Sequence, residues 1–140
     1  MTSIRLDLTI DANNQWFVFM WVALHRRRVE VRFKIDSGCN GLVLSHKTLK
    51  ALGRPTSTSD LAKLNDVTGR LASGEKSLYK GLGVVALHLN KIQPDHICTA
   101  NAICHATRET NDLLGTEVLR QFCGVNFNLA DDKYMELKKP

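Results

Sequence analysis

Apolar and polar positions alternate along most of this chain. Ile4, Leu6, Leu8 and Ile10 are separated by Arg5, Asp7 and Thr9, a period of two that predicts a half-buried strand, and Asn13-Asn14 supply the turn after it. Gln15–Leu24 is apolar on both faces for most of its length, which predicts a second, central strand. His25–Arg28 form the turn out of it. Val29, Val31, Phe33 and Ile35 then alternate with Glu30, Arg32 and Lys34 in a third strand. That strand stops on Asp36-Ser37-Gly38, small and polar residues that favour a turn, and Leu42-Val43-Leu44 is apolar again. An aspartate is thus set in a tight turn between two buried segments. Burying a carboxylate costs several kcal/mol, in order of magnitude, unless it is paired or hydrogen-bonded, so stability alone does not explain such a position.

Ser45 is placed to cap a short helix over His46–Leu52, with Gly53 just past its end and Pro55 blocking continuation. Residues 54–60 read as a polar linker. Leu61–Gly83 alternates weakly and carries Gly69, Gly74, Gly81 and Gly83, which predicts a mobile hairpin with its tip near Arg70–Glu75. Val84–Leu89 and His96–Cys104 read as strands with Pro94 in the turn between them. After the polar loop His105–Asn111, Leu113-Leu114 is a short buried strand, and Thr116 caps a helix running to about Cys123. Val125, Phe127 and Leu129 alternate once more, Asp131-Asp132-Lys133 turns the chain, and Tyr134–Leu137 is the last strand. The pattern is that of an all-β fold with one or two short helices.

Composition narrows the picture. The chain has 140 residues, of which 44% are hydrophobic, enough for the core of one domain spanning 1–140. A net charge of +5 is modest and does not call for nucleic acid. Arg26-Arg27-Arg28 are read as a solvated turn, because neither a second basic cluster nor interleaved aromatics accompany them. The longest apolar run, Trp16–Leu24, is too short for a membrane-spanning helix, and Met1–Arg5 leads straight into a strand rather than a secretory signal. A cytoplasmic or other reducing intracellular compartment is therefore expected. There Cys39, Cys98, Cys104 and Cys123 are small buried hydrophobes rather than a disulfide framework. His96, Cys98, Cys104, His105 and Cys123 lack the ligand spacing of a zinc site, and no metal or cofactor is expected. Neither G-x-S-x-G nor H-E-x-x-H occurs, and a Cys39 nucleophile has no histidine fixed beside it by the sequence.

Two stretches carry a resemblance. Phe33–Ser45, FKIDSGCNGLVLS, resembles the active-site strand and loop of the retropepsin-like aspartic proteases: an apolar strand, Asp-Ser/Thr-Gly, a small residue, and an apolar run ending in Ser. Leu113-Leu114-Gly115 followed by TEVLRQF resembles the family's second element, an apolar-apolar-Gly triplet and short helix near the C-terminus. Order and spacing agree, and the resemblance spans Ile4 to Leu137. It implies a retropepsin-like closed β-barrel with one lobe per chain and Asp36 as the catalytic acid. Ser37 and Gly38 would support the active-site loop, Ser37 by bonding across a dimer interface. It also implies a flap at the Leu61–Gly83 hairpin, with Gly69, Arg70, Ser73 and Gly74 as flap residues.

Metal-free peptide hydrolysis without a covalent intermediate needs two carboxyl groups sharing a proton. This chain offers one Asp-Ser-Gly, so the resemblance implies a two-fold homodimer that pairs Asp36 with its mate and acts on a peptide or protein substrate. The alternative is a catalytically weak or inactive dimerisation or peptide-binding module on the same fold. One departure from the family pattern is expected to matter. Thr116-Glu117 stand where many dimeric members carry a basic residue followed by Asp or Asn, which removes the salt bridge that braces the loop. Asp112, beside the buried Leu-Leu-Gly, is expected to make a structural bond near the site.

Overall fold

A computed structural model describes residues 2–70, 76–92 and 95–140. Among these residues ten strands form a single hydrogen-bonded sheet. They are β1 (Thr2–Ile10), β2 (Trp16–Leu24), β3 (Arg27–Ile35), β4 (Leu42–Val43), β5 (Asp66–Arg70), β6 (Lys76–His88), β7 (His96–His105), β8 (Leu113–Leu114), β9 (Gly124–Asn128) and β10 (Tyr134–Lys139). Their order is β5-β6-β7-β4-β8-β3-β2-β1-β10-β9, and β2 also pairs with β6, Trp21 opposite His88. That extra pairing closes the strands from β6 round to β2 into a six-stranded barrel, as the all-β reading expected. β5 hangs from β6 on one side, and β1, β10 and β9 extend from β2 on the other.

The period-two pattern settles which face is buried. Val31 and Phe33 of β3, Leu6 and Leu8 of β1, and Met135 and Leu137 of β10 lie in the core, with polar neighbours outside. β2 is central because three strands claim it: β3 along its length, β1 at its start and β6 near its end. Its second apolar face is covered in part by cations. The Arg32 guanidinium lies 3.6 Å from the centre of the Phe17 ring and the Lys91 ammonium 5.9 Å from that of Trp21.

Several boundaries differ from the sequence reading. The arginine turn is tighter than expected: Leu24 pairs with Arg27, so only His25 and Arg26 turn the chain, with His25 at φ 55°. Arg27 and Arg28 already belong to β3. The Arg27 guanidinium lies against Gly53, and Arg28 donates to the carbonyls of Asn90 and Lys91. Residues 54–60 are not wholly a linker. Ser57 caps a short helix, α2 (Thr58–Ala62), its hydroxyl accepting from Asp60 N. The glycines at 81 and 83 do not end the hairpin; β6 runs through them to His88 and absorbs them as a bulge against β7. The helix α1 (His46–Ala51) has the expected Ser45 cap, and Gly53 follows it at φ 78°. The last helix, α3 (Thr116–Leu119), is shorter than predicted, and its N-cap is Gly115 rather than Thr116. Among the described residues no helix is long and apolar enough to cross a membrane.

Candidate active site

The site is built where β3 ends. β3 and β8 run parallel, Lys34 opposite Leu113 and Ile35 opposite Leu114. Lys34 N donates to Asp112 O at 2.9 Å and Asp36 N to Leu114 O at 3.1 Å, so the aspartate's backbone is the last rung of that ladder. β4 returns antiparallel to β8 and parallel to β7. The chain therefore makes its Asp36 turn between two strands that share β8 as a partner.

Within the turn, Gly38 N donates to Asp36 Oδ1 at 2.9 Å and Cys39 N to Asp36 O at 3.1 Å. Oδ2 has no hydrogen-bond partner among the described residues. Asp36 is half-buried, and Ser37 and Gly38 beside it are exposed. Gly115 backs onto the turn. A Cβ there would meet Gly41 O at 2.4 Å and Cys39 O at 2.5 Å, so close backbone approach is what demands glycine. From the start of α3, Thr116 N donates to Cys39 O (2.9 Å) and Glu117 N to Asn40 O (2.8 Å). Backbone amides thus brace the loop at Thr116-Glu117, where the sequence departs from the resembled pattern. The two elements singled out in the sequence are thus brought into direct contact.

A second brace comes from the loop between β7 and β8. Asp112 Oδ1 accepts from Ser45 N (2.7 Å), and Oδ2 accepts from the hydroxyls of Thr48 (3.0 Å) and Ser45 (3.2 Å). Burial pushes the Asp112 carboxyl above its usual range, against the pull of these bonds. Glu109 adds a clamp by accepting from His46 N (2.7 Å) and Lys47 N (3.0 Å). Burial raises the Glu109 carboxyl, but the backbone N–H groups outweigh it and hold it below the usual range. Asp112 makes the structural bond expected of it. Glu109 was read only as part of a polar loop, because its partners at 46 and 47 are remote in sequence.

Cys39 is half-buried beside Asp36. Burial, with the Asp36 charge added, pushes its thiol up, which disfavours the thiolate a nucleophile would need. The buried Cys98 and Cys104 thiols are pushed up to about 11, again by burial, and Cys123 is exposed rather than buried. No group of three or more His, Cys, Asp or Glu is arranged to hold a metal ion among the described residues.

The Leu61–Gly83 segment does contain a hairpin, β5 against β6, with Gly69 opposite Ser77 and Arg70 opposite Lys76. Ser73 and Gly74, the remaining residues expected in a flap, lie outside the described residues, as does most of the expected tip. At the hairpin's base the buried Lys80 ion-pairs with Asp66 and donates to Leu64 O. Beside it on β6, Tyr79 is buried and stands edge-on to His105, ring centres 5.5 Å apart. Burial raises its phenol, and the charges of Cys39 and Asp36 add to that. Tyr79 was missed in the sequence because the segment's alternation is weak, although Val67, its opposite number on β5, and Tyr79 are both apolar in body.

Compared by sequence, no family model and no curated protein matches the chain. Compared by structure, it superimposes on the crystal structure of a retropepsin-like aspartic protease from Rickettsia conorii. The TM-score is 0.58 and the identity 17%, over 99% of this chain and 90% of the other. The fold is retropepsin-like. At that identity the likeness speaks for the retropepsin-like barrel and its connections, and the chemistry must be argued from the residues above.

Proposed function

We propose that this chain is one half of a homodimeric aspartic endopeptidase, with Asp36 contributed by each protomer. The observation that carries the reading is the Asp36 turn itself. One carboxylate per chain sits half-buried at the end of a barrel strand, fixed by Gly38 N, braced from behind by Gly115, Thr116 and Glu117, and flanked by the exposed Ser37 and Gly38. A rigid loop with an exposed flank suits isologous contact with its own copy. β10 has partners on both sides, β1 and β9, whereas β9 pairs with β10 alone among the described residues, so of these two strands β9 is the one available to extend the interface.

Paired about 3 Å apart, two carboxyls cannot both ionise. The ionised one draws a proton from a water. The neutral one hydrogen-bonds the scissile carbonyl and gives up its proton as negative charge develops there. The β5–β6 hairpin, with Tyr79 on its inner strand, covers the peptide. All four cysteines are free thiols, which supports placing the protein in a reducing compartment.

Digestion of a peptide library by wild type and Asp36→Asn tests this. Wild type is expected to cleave with a bell-shaped pH–rate profile, because the acid is lost at high pH and the base at low pH. Asp36→Asn is expected to stay folded and to cleave nothing, since Asn keeps the shape and removes the chemistry. Equal cleavage by both proteins would remove Asp36 from the mechanism. Folded, dimeric wild type inert at every pH would leave a peptide-binding module on the same fold.

A further inference from the structure

The loop between β7 and β8 ties the hairpin to the end of β3. At its start Ala106 N donates to Leu78 O of β6 (3.2 Å), and at its end Asp112 O accepts from Lys34 N (2.9 Å), two residues before Asp36. Between those anchors the chain turns on one side chain. His105 is buried, and its Nδ1 accepts from Thr107 N (3.1 Å) and Arg108 N (2.9 Å). A ring nitrogen that accepts N–H groups carries no proton, so this imidazole is neutral with its hydrogen on Nε2. Nε2 then has no lone pair for Arg108 Nε, 3.4 Å away, and the guanidinium only sets a permanent positive charge beside the ring. Tyr79 of β6 meets the ring edge-on. Burial first, then the charges of Arg108 and His46, hold the imidazole below the usual range of histidine.

A proton taken from solvent onto Nδ1 turns the acceptor of two amides into a third donor. The closed turn and the imidazolium therefore exclude each other. The groups around the ring do not switch with it. Tyr79 stays a phenol and Arg108 a cation as pH falls. His46, on α1, presents Nε2 to the His105 carbonyl at 2.7 Å, and that N–H is there whether its ring is neutral or charged. Glu109 and Asp112, farther along the loop, accept from α1 and from Ser45 and Thr48, not from the turn itself. We propose that His105 is an acid-sensitive latch: protonation of Nδ1 frees Thr107 and Arg108, and with them the loop that joins the β5–β6 hairpin to the Asp36 end of β3. The latch does not depend on the protease reading, because its release is seen on backbone amides rather than in cleavage. Its sign follows from the lowered folded value. The closed turn loses stability as pH falls below the unfolded value, 6.5, by one proton's worth per opening.

The test is amide hydrogen exchange by NMR on the full chain carrying Asp36→Asn, which keeps that carboxyl out of the titration, from about pH 7 to about pH 4.5. Protection is taken against each amide's intrinsic rate at the same pH. At Thr107 and Arg108 it is expected to fall about tenfold for each unit below about 6.5, since opening takes up one proton. It should also stay below the protection of Val31 and Phe33 at every pH, because the release is local. Adding His105→Asn puts an amide oxygen in the place of Nδ1, an acceptor that does not titrate, and the profile at 107 and 108 should become flat. Long-range proton–nitrogen spectra should find His105 Nδ1 bare and Nε2 protonated at neutral pH. Three results overturn the latch and leave the protease reading untouched: a proton on Nδ1 at neutral pH, protection at 107 and 108 equal to that of Val31 and Phe33, or a decline that persists in His105→Asn and so belongs to Glu109 or Asp112. If His105→Asn does not fold, the chain with His105 decides alone, and a flat profile there overturns the latch.

Discussion

Gly115 and Cys39 are in backbone contact: a side chain on Gly115 would stand 2.5 Å from the Cys39 carbonyl oxygen, and the next amide, Thr116 N, donates to that oxygen at 2.9 Å. A contact this close fixes the Asp36 turn to α3. Gly115→Ala should therefore force the two elements apart. We expect a loss of about 1–3 kcal/mol in urea unfolding, the usual cost of overpacking, and a loss of cleavage that exceeds the loss of folded protein. An alanine variant as stable and active as wild type would mean that the brace yields freely.

Glu109 holds the first amides of α1, and its folded carboxyl titrates below the ordinary range. A depressed folded value means that its stabilisation is present above the unfolded value, 4.5, and lost as pH falls through the folded one. Glu109→Gln should therefore lower the melting temperature at pH 7 by a few degrees at most, since the group is exposed. The gap between the two proteins should close in acid. Asp112 has the opposite sign: burial raises its carboxyl, so its own ionisation costs stability as pH rises from the unfolded value of 3.8 through the folded one. Melting curves of wild type and Glu109→Gln between pH 3 and 7, as a rough range for carboxyl titration, check this. A gap that widens in acid would contradict it.

The hairpin should open more readily than the barrel. Among the described residues β5 pairs with β6 alone, whereas β3 is held by β2 and, at its end, by β8. Amides of Asp66–Arg70 are expected to exchange with solvent well before those of Val31 and Phe33. Equal protection would contradict the proposal that the hairpin covers a substrate.

Much of this was legible in the chain because the barrel obeys a two-residue period. Val31 and Phe33 alternate cleanly, so the end of β3 and the turn after it could be placed, although its start lies two residues earlier than the alternation predicts. The link between Asp36 and Gly115 was also within reach, since FKIDSGCNGLVLS and Leu113-Leu114-Gly115 are each recognisable. What failed was local where tertiary contacts decide. Gly81 and Gly83 looked like a strand end, but pairing with β7 carries β6 across them. Thr116 looked like a helix cap, but its amide was already committed to Cys39. Glu109 carried no pattern at all, because the amides it accepts from belong to a helix some sixty residues earlier.

Subunit mixing tests most directly the proposal that two Asp36 carboxylates from two chains make one catalytic site. Wild type and Asp36→Asn are unfolded together, refolded in varied ratio at constant total protein, and assayed for cleavage. If the acid pair is shared, a mixed dimer has one carboxylate and is dead. Activity should then follow the square of the wild-type fraction, falling to about a quarter at an equal mixture. Activity that falls only in proportion, to about a half, would mean that each chain works with its own machinery and would contradict the shared site.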